Sequence, residues 1–150
     1  MNKEYRLGVG IVILNKENKI FAGKRISASI DVWQMPQGGI DPNETPIQAI
    51  YREMLEETGS NNIELIQESK DWLYYDIPNE ILPKSWHGKY CGQKQKWFLA
   101  KFLGEDLEFN LNTEHPEFIE WNWTTPLELL NDIVDFKRKL YEDIFEEFGL

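Results

Sequence analysis

Apolar and polar positions divide this chain into short, well-marked segments. Leu7 to Leu14 is a nearly unbroken apolar run containing two glycines, which predicts a strand covered on both faces. The polar stretch from Asn15 to Lys19 predicts a turn, and Ile20 to Lys24 the returning strand of a hairpin. Residues 27–31 read as loop, and Trp33 to Gly39 leads into a helix. Further strands are expected at Ile63–Ile66, Trp72–Ile77, Gln93–Phe102 and Phe118–Trp123. The alternation of Leu107, Phe109 and Leu111 predicts another short one.

The first helix has clear punctuation. Thr45 suits the N-cap, Pro46 the first helical position, Gln48 the reciprocal bond of a capping box, and Gly59 the C-terminal stop. Ile47, Ile50, Met54 and Leu55 form an apolar stripe that leaves Glu53, Glu56 and Glu57 off it. Thr125-Pro126 repeats the cap grammar and opens a helix to about Val134, and Asp135 to Phe148 is a third helical stretch. With no repeat, low-complexity segment or linker, residues 1–150 read as one domain of α/β class with a mixed sheet.

Composition narrows the options. Apolar residues make up 41% of the chain and aromatics 13%, which excludes a disordered acidic segment. The net charge of −10 ordinarily argues against a nucleic-acid partner, since phosphate contact needs local positive charge, and no DNA partner is expected. Basic residues nonetheless gather at Lys24-Arg25, Lys94 to Lys96 and Lys137 to Lys139. The single cysteine, Cys91, permits no internal disulfide, and no run has the length of a membrane span. The start of the chain lacks a signal-like apolar stretch. The expectation is a cytoplasmic protein with no membrane and no evident obligate protein partner. His87, His115 and Cys91 form no metal-ligand spacing.

The densest chemistry lies at Arg52-Glu53-Met54-Leu55-Glu56-Glu57-Thr58-Gly59. Helical spacing brings Glu53, Glu56 and Glu57 close together. Three neighbouring carboxylates repel and call for a cation, and a divalent metal would then be available for phosphate oxygens. On its own such a triplet more often marks a solvated helix face. Here Gly38, Glu44, Arg52, Glu53, Met54, Glu56, Glu57 and Gly59 all fall on one pattern, G-x5-E-x7-R-E-U-x-E-E-x-G-U, where U is a bulky aliphatic residue. The segment resembles the Nudix box. Ser60 departs from the pattern at its last position, where packing rather than chemistry is at stake.

The resemblance implies an α/β/α sandwich and a Mg²⁺-dependent hydrolase of phosphoanhydrides, with Mn²⁺ or another divalent ion able to substitute. It implies metal ligation by Glu56 and Glu57, with Glu53 either joining them or acting as the base on the attacking water. A carbonyl at Gly38 and the distant Glu117 are further candidate ligands. Arg52 is expected to fix the rotamer of a box carboxylate, and Glu44 to act as a brace.

Other stretches resemble one branch of the family, the bacterial RNA pyrophosphohydrolases and their relatives that cleave diadenosine polyphosphates. They are Tyr5-Arg6, Trp33 to Gly39, Asp71 to Pro78, Ser85-Trp86 and Gly92 to Phe98. Strand alternation places Gln93, Gln95 and Trp97 on one face of the last stretch and Lys94, Lys96 and Phe98 on the other. Lys94 and Lys96 are expected to meet phosphates, with Arg6, Arg25 and Lys137 adding to them; a solvated strand face is the alternative for the pair. Tyr75 and Phe136 either stack on a nucleobase or pack in the core. The implied partner is a 5′-triphosphorylated RNA end or a dinucleoside polyphosphate. A housecleaning hydrolase of free nucleoside triphosphates, and a binding module without activity, are competing readings.

Overall fold

The computed structural model describes residues 4–26 and 32–150. The segment 27–31, expected as loop, lies outside them. The described strands are β1 (Glu4–Leu14), β2 (Ile20–Arg25), β3 (Trp33–Gln34), β4 (Gln37–Gly39), β5 (Ile63–Glu68), β6 (Leu73–Asp76), β7 (Tyr90–Phe102) and β8 (Phe118–Thr124). The helices are α1 (Pro46–Thr58), α2 (Pro126–Asp132) and α3 (Asp135–Phe148).

Strand β1 lies at the centre because almost every residue from Gly8 to Leu14 is apolar and can be covered on both sides. It runs parallel to β7, with Tyr5 opposite Gly92 and Leu14 opposite Lys101. The order along the sheet is β3-β2-β1-β7-β5, with β4 on β1, β6 on β7 and β8 on β2. All pairings except β1 with β7 are antiparallel, so the sheet is mixed.

Successive side chains of β1 go to opposite cores. Val9, Ile11 and Ile13 pack with Phe98, Ala100, Phe102 and the α1 residues Ala49, Ile50 and Met54. Val12 and Leu14 pack with Trp97, Leu99 and the helical residues Leu129, Leu140, Tyr141 and Ile144. Helix α1 therefore covers one face and α2 with α3 the other, which is the sandwich that was expected. Gly10 is required by this packing, because a Cβ there would fall within the indole of Trp97.

Three expectations need correction. Residues 107–111 form no strand. Glu105 and Glu108 cap each other across a short 3₁₀ turn, Asp106–Glu108, which leaves Leu107 97% exposed while Phe109 is buried. Helix α2 stops at Asp132, because Ile133 and Val134 are extended and lead into α3. The stripe on α1 is also rotated: Ile47 and Leu55 are exposed, and the buried residues are Ala49, Ile50, Met54, Glu57 and Thr58. Glu57 thus lies on the buried face rather than off it.

Candidate active site

Local rules place the box. Gly38 and Gly39 end β4, and a tight turn follows in which Glu44 N–H donates to the Asp41 carbonyl at 3.1 Å. Pro42 precedes Asn43, whose φ of 68° is the left-handed conformation that asparagine tolerates. The Thr45 hydroxyl then accepts from Gln48 N–H at 3.2 Å, and Gln48 Oε1 accepts from Thr45 N–H at 2.9 Å, so α1 starts in a capping box. Gly59 closes the helix at φ 81°.

Arg52 organises the carboxylates. Its Nε and Nη2 donate to the two oxygens of Glu44 at 2.7 and 2.9 Å, a bidentate pair. Nη2 also reaches the Gly39 carbonyl at 2.8 Å, and Nη1 donates to Glu53 at 2.9 Å and Glu56 at 3.1 Å. The Arg52 hydrogen bonds hold the Glu44 carboxyl down at about 2, against the effect of its burial. The cation demanded by the triplet is therefore supplied in part by the chain itself. Glu44 is a brace, and Arg52 fixes Glu53.

Glu53 and Glu57 are the carboxylates shifted upward. Burial raises the pKa of Glu53, with Arg52 opposing. Burial, then the charges of Glu53 and Glu117, push Glu57 well above the usual carboxylate range, opposed by the Gln37 backbone amide and the Lys137 charge. Glu57 Oε2 is buried without a hydrogen-bond partner. A Cβ on Gly38 would fall on the Glu53 carboxylate, so that glycine makes the space the carboxylate occupies. Glu117, remote in sequence, reaches this group because β8 pairs with β2, and its backbone carbonyl accepts from Ile26 N–H at 3.0 Å. Glu56, by contrast, is exposed and turned to Arg52.

A cationic and amide cluster faces these acids. Arg6 lies over Gly39 with its guanidinium 5.7 Å from the Trp86 ring, and its charge is felt at Glu53. Lys137 is 4% exposed, donates to Gln34 Oε1 at 3.2 Å, and has its pKa lowered to about 7 by burial and then by Arg25. Arg138 and Lys139 turn outward to Glu142 and Asp143, so helical phase sends only one of the three neighbouring cations to the site. Tyr75 Oη accepts from Gln37 Nε2 at 3.0 Å and Gln93 Nε2 at 2.9 Å. Gln37 Oε1, Gln93 Oε1 and Gln95 Nε2 are buried and unpaired, a set of polar groups oriented without a protein partner.

Two expectations shift here. Lys94 and Lys96 lie on the face of β7 opposite Gln93 and Gln95, over Trp72 at 5.5 and 5.8 Å, so the glutamines, and not the lysines, face the acids. Tyr75 is only 6% exposed, with Phe136 stacked at 6.0 Å and Lys137 Nζ 5.4 Å from its ring centre, so it presents its hydroxyl rather than an open face. Half-buried Phe136 keeps the free aromatic surface. Sequence reasoning missed Gln34, Gln37, Gln93 and Gln95. The alternation in β7 was the available signal, and formal charge drew attention to the opposite face.

A model of the NUDIX domain matches residues 4–144. The chain belongs to the Nudix family. Relatives named RNA pyrophosphohydrolase include that of Rickettsia typhi, 55% identical over 96% of this chain and 89% of that protein. The one from Rickettsia bellii is 56% identical over the same shares. Solved structures with this fold include an Ap4A hydrolase of C. elegans, at a TM-score of 0.69, 20% identity, and 96% and 98% coverage of this chain and that one. The MutT protein of Methanosarcina mazei aligns at 0.66 and 19%, over 100% and 99%. Nudix hydrolases use divalent metal ions, and the donors here fit one. They are all oxygens, and Glu57 Oε2 is an open buried acceptor. Among the described residues no three acidic, histidine or cysteine side chains lie close enough together to hold an ion as a group. No described helix is long and apolar enough to cross a membrane.

Proposed function

We propose that this Nudix hydrolase removes pyrophosphate from 5′-triphosphorylated RNA and also cleaves dinucleoside polyphosphates, diadenosine tetraphosphate going to ATP and AMP. The observation that carries this reading is one juxtaposition. The half-buried Glu53 and the buried Glu57, with Glu117, face Arg6, Arg25, Lys137 and the unpaired Gln95 Nε2, beside the unpaired oxygens Gln37 Oε1 and Gln93 Oε1. A polyphosphate is the ligand class whose many oxygens would satisfy the cations and the free Gln95 amide donor together. The relatives named RNA pyrophosphohydrolase favour RNA as the first substrate.

In this reading Glu53, Glu57 and Glu117, with Glu56 and the Gly38 carbonyl, hold Mg²⁺, and Mn²⁺ or another divalent ion can replace it. When bound, the ion neutralises phosphate charge and acidifies water. Arg6, Arg25 and Lys137 carry the phosphate chain, and the free Nε2 of Gln95 donates to it. Water attacks one phosphorus, a new P–O bond forms, and the bridging P–O bond breaks with its electron pair leaving on pyrophosphate. Glu53, whose pKa burial raises, is the stronger base for that shift and in its ionised form takes the proton of the attacking water. Phe136 stacks on a base of the nucleotide.

The test is product analysis with Mg²⁺ on triphosphorylated RNA, diadenosine tetraphosphate and a free nucleoside triphosphate side by side. Pyrophosphate release from RNA, and ATP with AMP from the dinucleotide, are expected. Turnover of the free triphosphate alone would overturn the reading in favour of a housecleaning enzyme.

A further inference from the structure

Resting on the RNA reading above, we propose that the outer face of β6 and β7 is a second RNA contact, a platform on which the single strand downstream of the 5′ end lies. The lysines that the sequence singled out are on this face, and the acidic site does not use them. Tyr74 pairs directly across from Lys94 in the antiparallel ladder. Lys94 Nζ sits 5.5 Å from the Trp72 ring centre and 5.7 Å from that of Tyr74, and Lys96 Nζ is 5.8 Å from Trp72. Tyr74 is 52% exposed, with Tyr5 edge-on at 5.0 Å holding its ring.

The charges distinguish this patch from an ordinary solvated strand. Among the described residues no carboxylate forms an ion pair with Lys94, although the chain carries a net −10. Lys96 is held in place by Glu68 at 3.6 Å and by the carbonyls of Ser69 and Lys70. Asp76, the carboxylate at the end of β6, is engaged by the Tyr5 hydroxyl at 2.6 Å. An exposed aromatic beside an unneutralised lysine fits a base and its phosphate, and stacking of this kind needs no particular sequence.

The platform is also continuous with the site. Among the described residues β6 pairs with no strand but β7, so no further strand lies along its other edge. Alternation turns Tyr75 toward Gln93 and Lys137, and its neighbour Tyr74 toward Lys94. A strand whose 5′ phosphates lie beside Tyr75 reaches Tyr74 by crossing this rim. A dinucleoside polyphosphate has no chain to do so.

The test measures fluorescence anisotropy of a 5′-hydroxyl single-stranded RNA of about a dozen nucleotides, without divalent ion, on the wild-type chain and on Lys94→Glu and Tyr74→Ala. Each substitution is expected to weaken binding roughly tenfold, and Lys94→Glu to reduce the salt slope by about 1 or more. A trinucleotide should bind more weakly than the long RNA and respond little to either change. Diadenosine tetraphosphate turnover by Tyr74→Ala should stay at the wild-type rate, which shows that the fold is kept. Equal affinity for both lengths, or long-RNA affinity unchanged in both variants, would overturn the platform, as would a protein partner captured on this face with RNA affinity unaltered. Loss of RNA binding in the variants of a chain that hydrolyses no triphosphorylated RNA would support the platform and reject the catalytic reading, so the two fail separately.

Discussion

Gly38 and the carboxylate of Glu53 compete for the same space, since a Cβ at position 38 would fall on the carboxyl group. Glu53 belongs to the helix and Gly38 to the strand before it, so the contact sets how closely the two approach. Gly38→Ala should displace Glu53 while leaving the backbone unstrained, because Gly38 is not among the residues with positive φ. Turnover of triphosphorylated RNA is expected to fall roughly 100-fold, the scale of a misplaced catalytic group. Steady-state kinetics beside a thermal melt within a few degrees of wild type would check it. Full activity in the Gly38→Ala variant would remove Glu53 from the chemistry.

Arg52→Ala removes five hydrogen bonds at once, to Glu44, Glu53, Glu56 and the Gly39 carbonyl. The partly buried acids are then left without their cation, at a cost of about 2 kcal/mol. The effect is pH-dependent. Glu44 is held at about 2 in the fold against an ordinary 4.5, so its contribution is complete above pH 4.5 and fades as pH falls toward 2. Urea melts of both chains should therefore diverge at neutral pH and converge in acid.

Glu57→Gln should separate stability from activity. The Glu57 carboxyl is neutral-favouring in the fold, so its ionisation opposes folding once pH exceeds the ordinary 4.5, and the opposition is complete above its raised folded pKa. In metal-free buffer the variant should melt higher than wild type at alkaline pH, and the gain should vanish near pH 4.5. Turnover with Mg²⁺ should drop on the order of 10³-fold, because a donor to the ion is lost. A variant less stable than wild type at alkaline pH would contradict the burial argument.

Lys137 behaves in the opposite sense. Burial lowers it to about 7 from 10.5, so its charge opposes folding fully below pH 7, progressively less up to 10.5, and not at all above. Lys137→Met should raise the melting temperature most in the acidic range, with no gain at pH 10.5. It should also lower turnover of triphosphorylated RNA by about 100-fold. Calorimetry of phosphate-ligand binding to wild type near pH 8 should show proton uptake, because a bound polyphosphate restores the ammonium. The Lys137→Met variant should lack that uptake.

Helix α1 was legible from cap to cap because Thr45, Pro46, Gln48 and Gly59 act through hydrogen bonds within a few residues of themselves. For the same reason Arg52 and the three glutamates were readable as one group, and α3 was correctly bounded at Asp135 and Phe148. Tertiary structure decided what periodicity leaves symmetrical. Alternation in β7 divides the glutamines from the lysines but does not say which side α3 will cover, and that choice put Gln93 and Gln95 with the acids and Lys94 with Trp72. It also buried Glu57 and Lys137, two charges that local sequence marks as surface, because both lie where helix and sheet close on the site. The sequence alone determined the elements and the chemical groups they carry. Long-range packing determined which groups leave water, and with that which pKa values move and which residues meet.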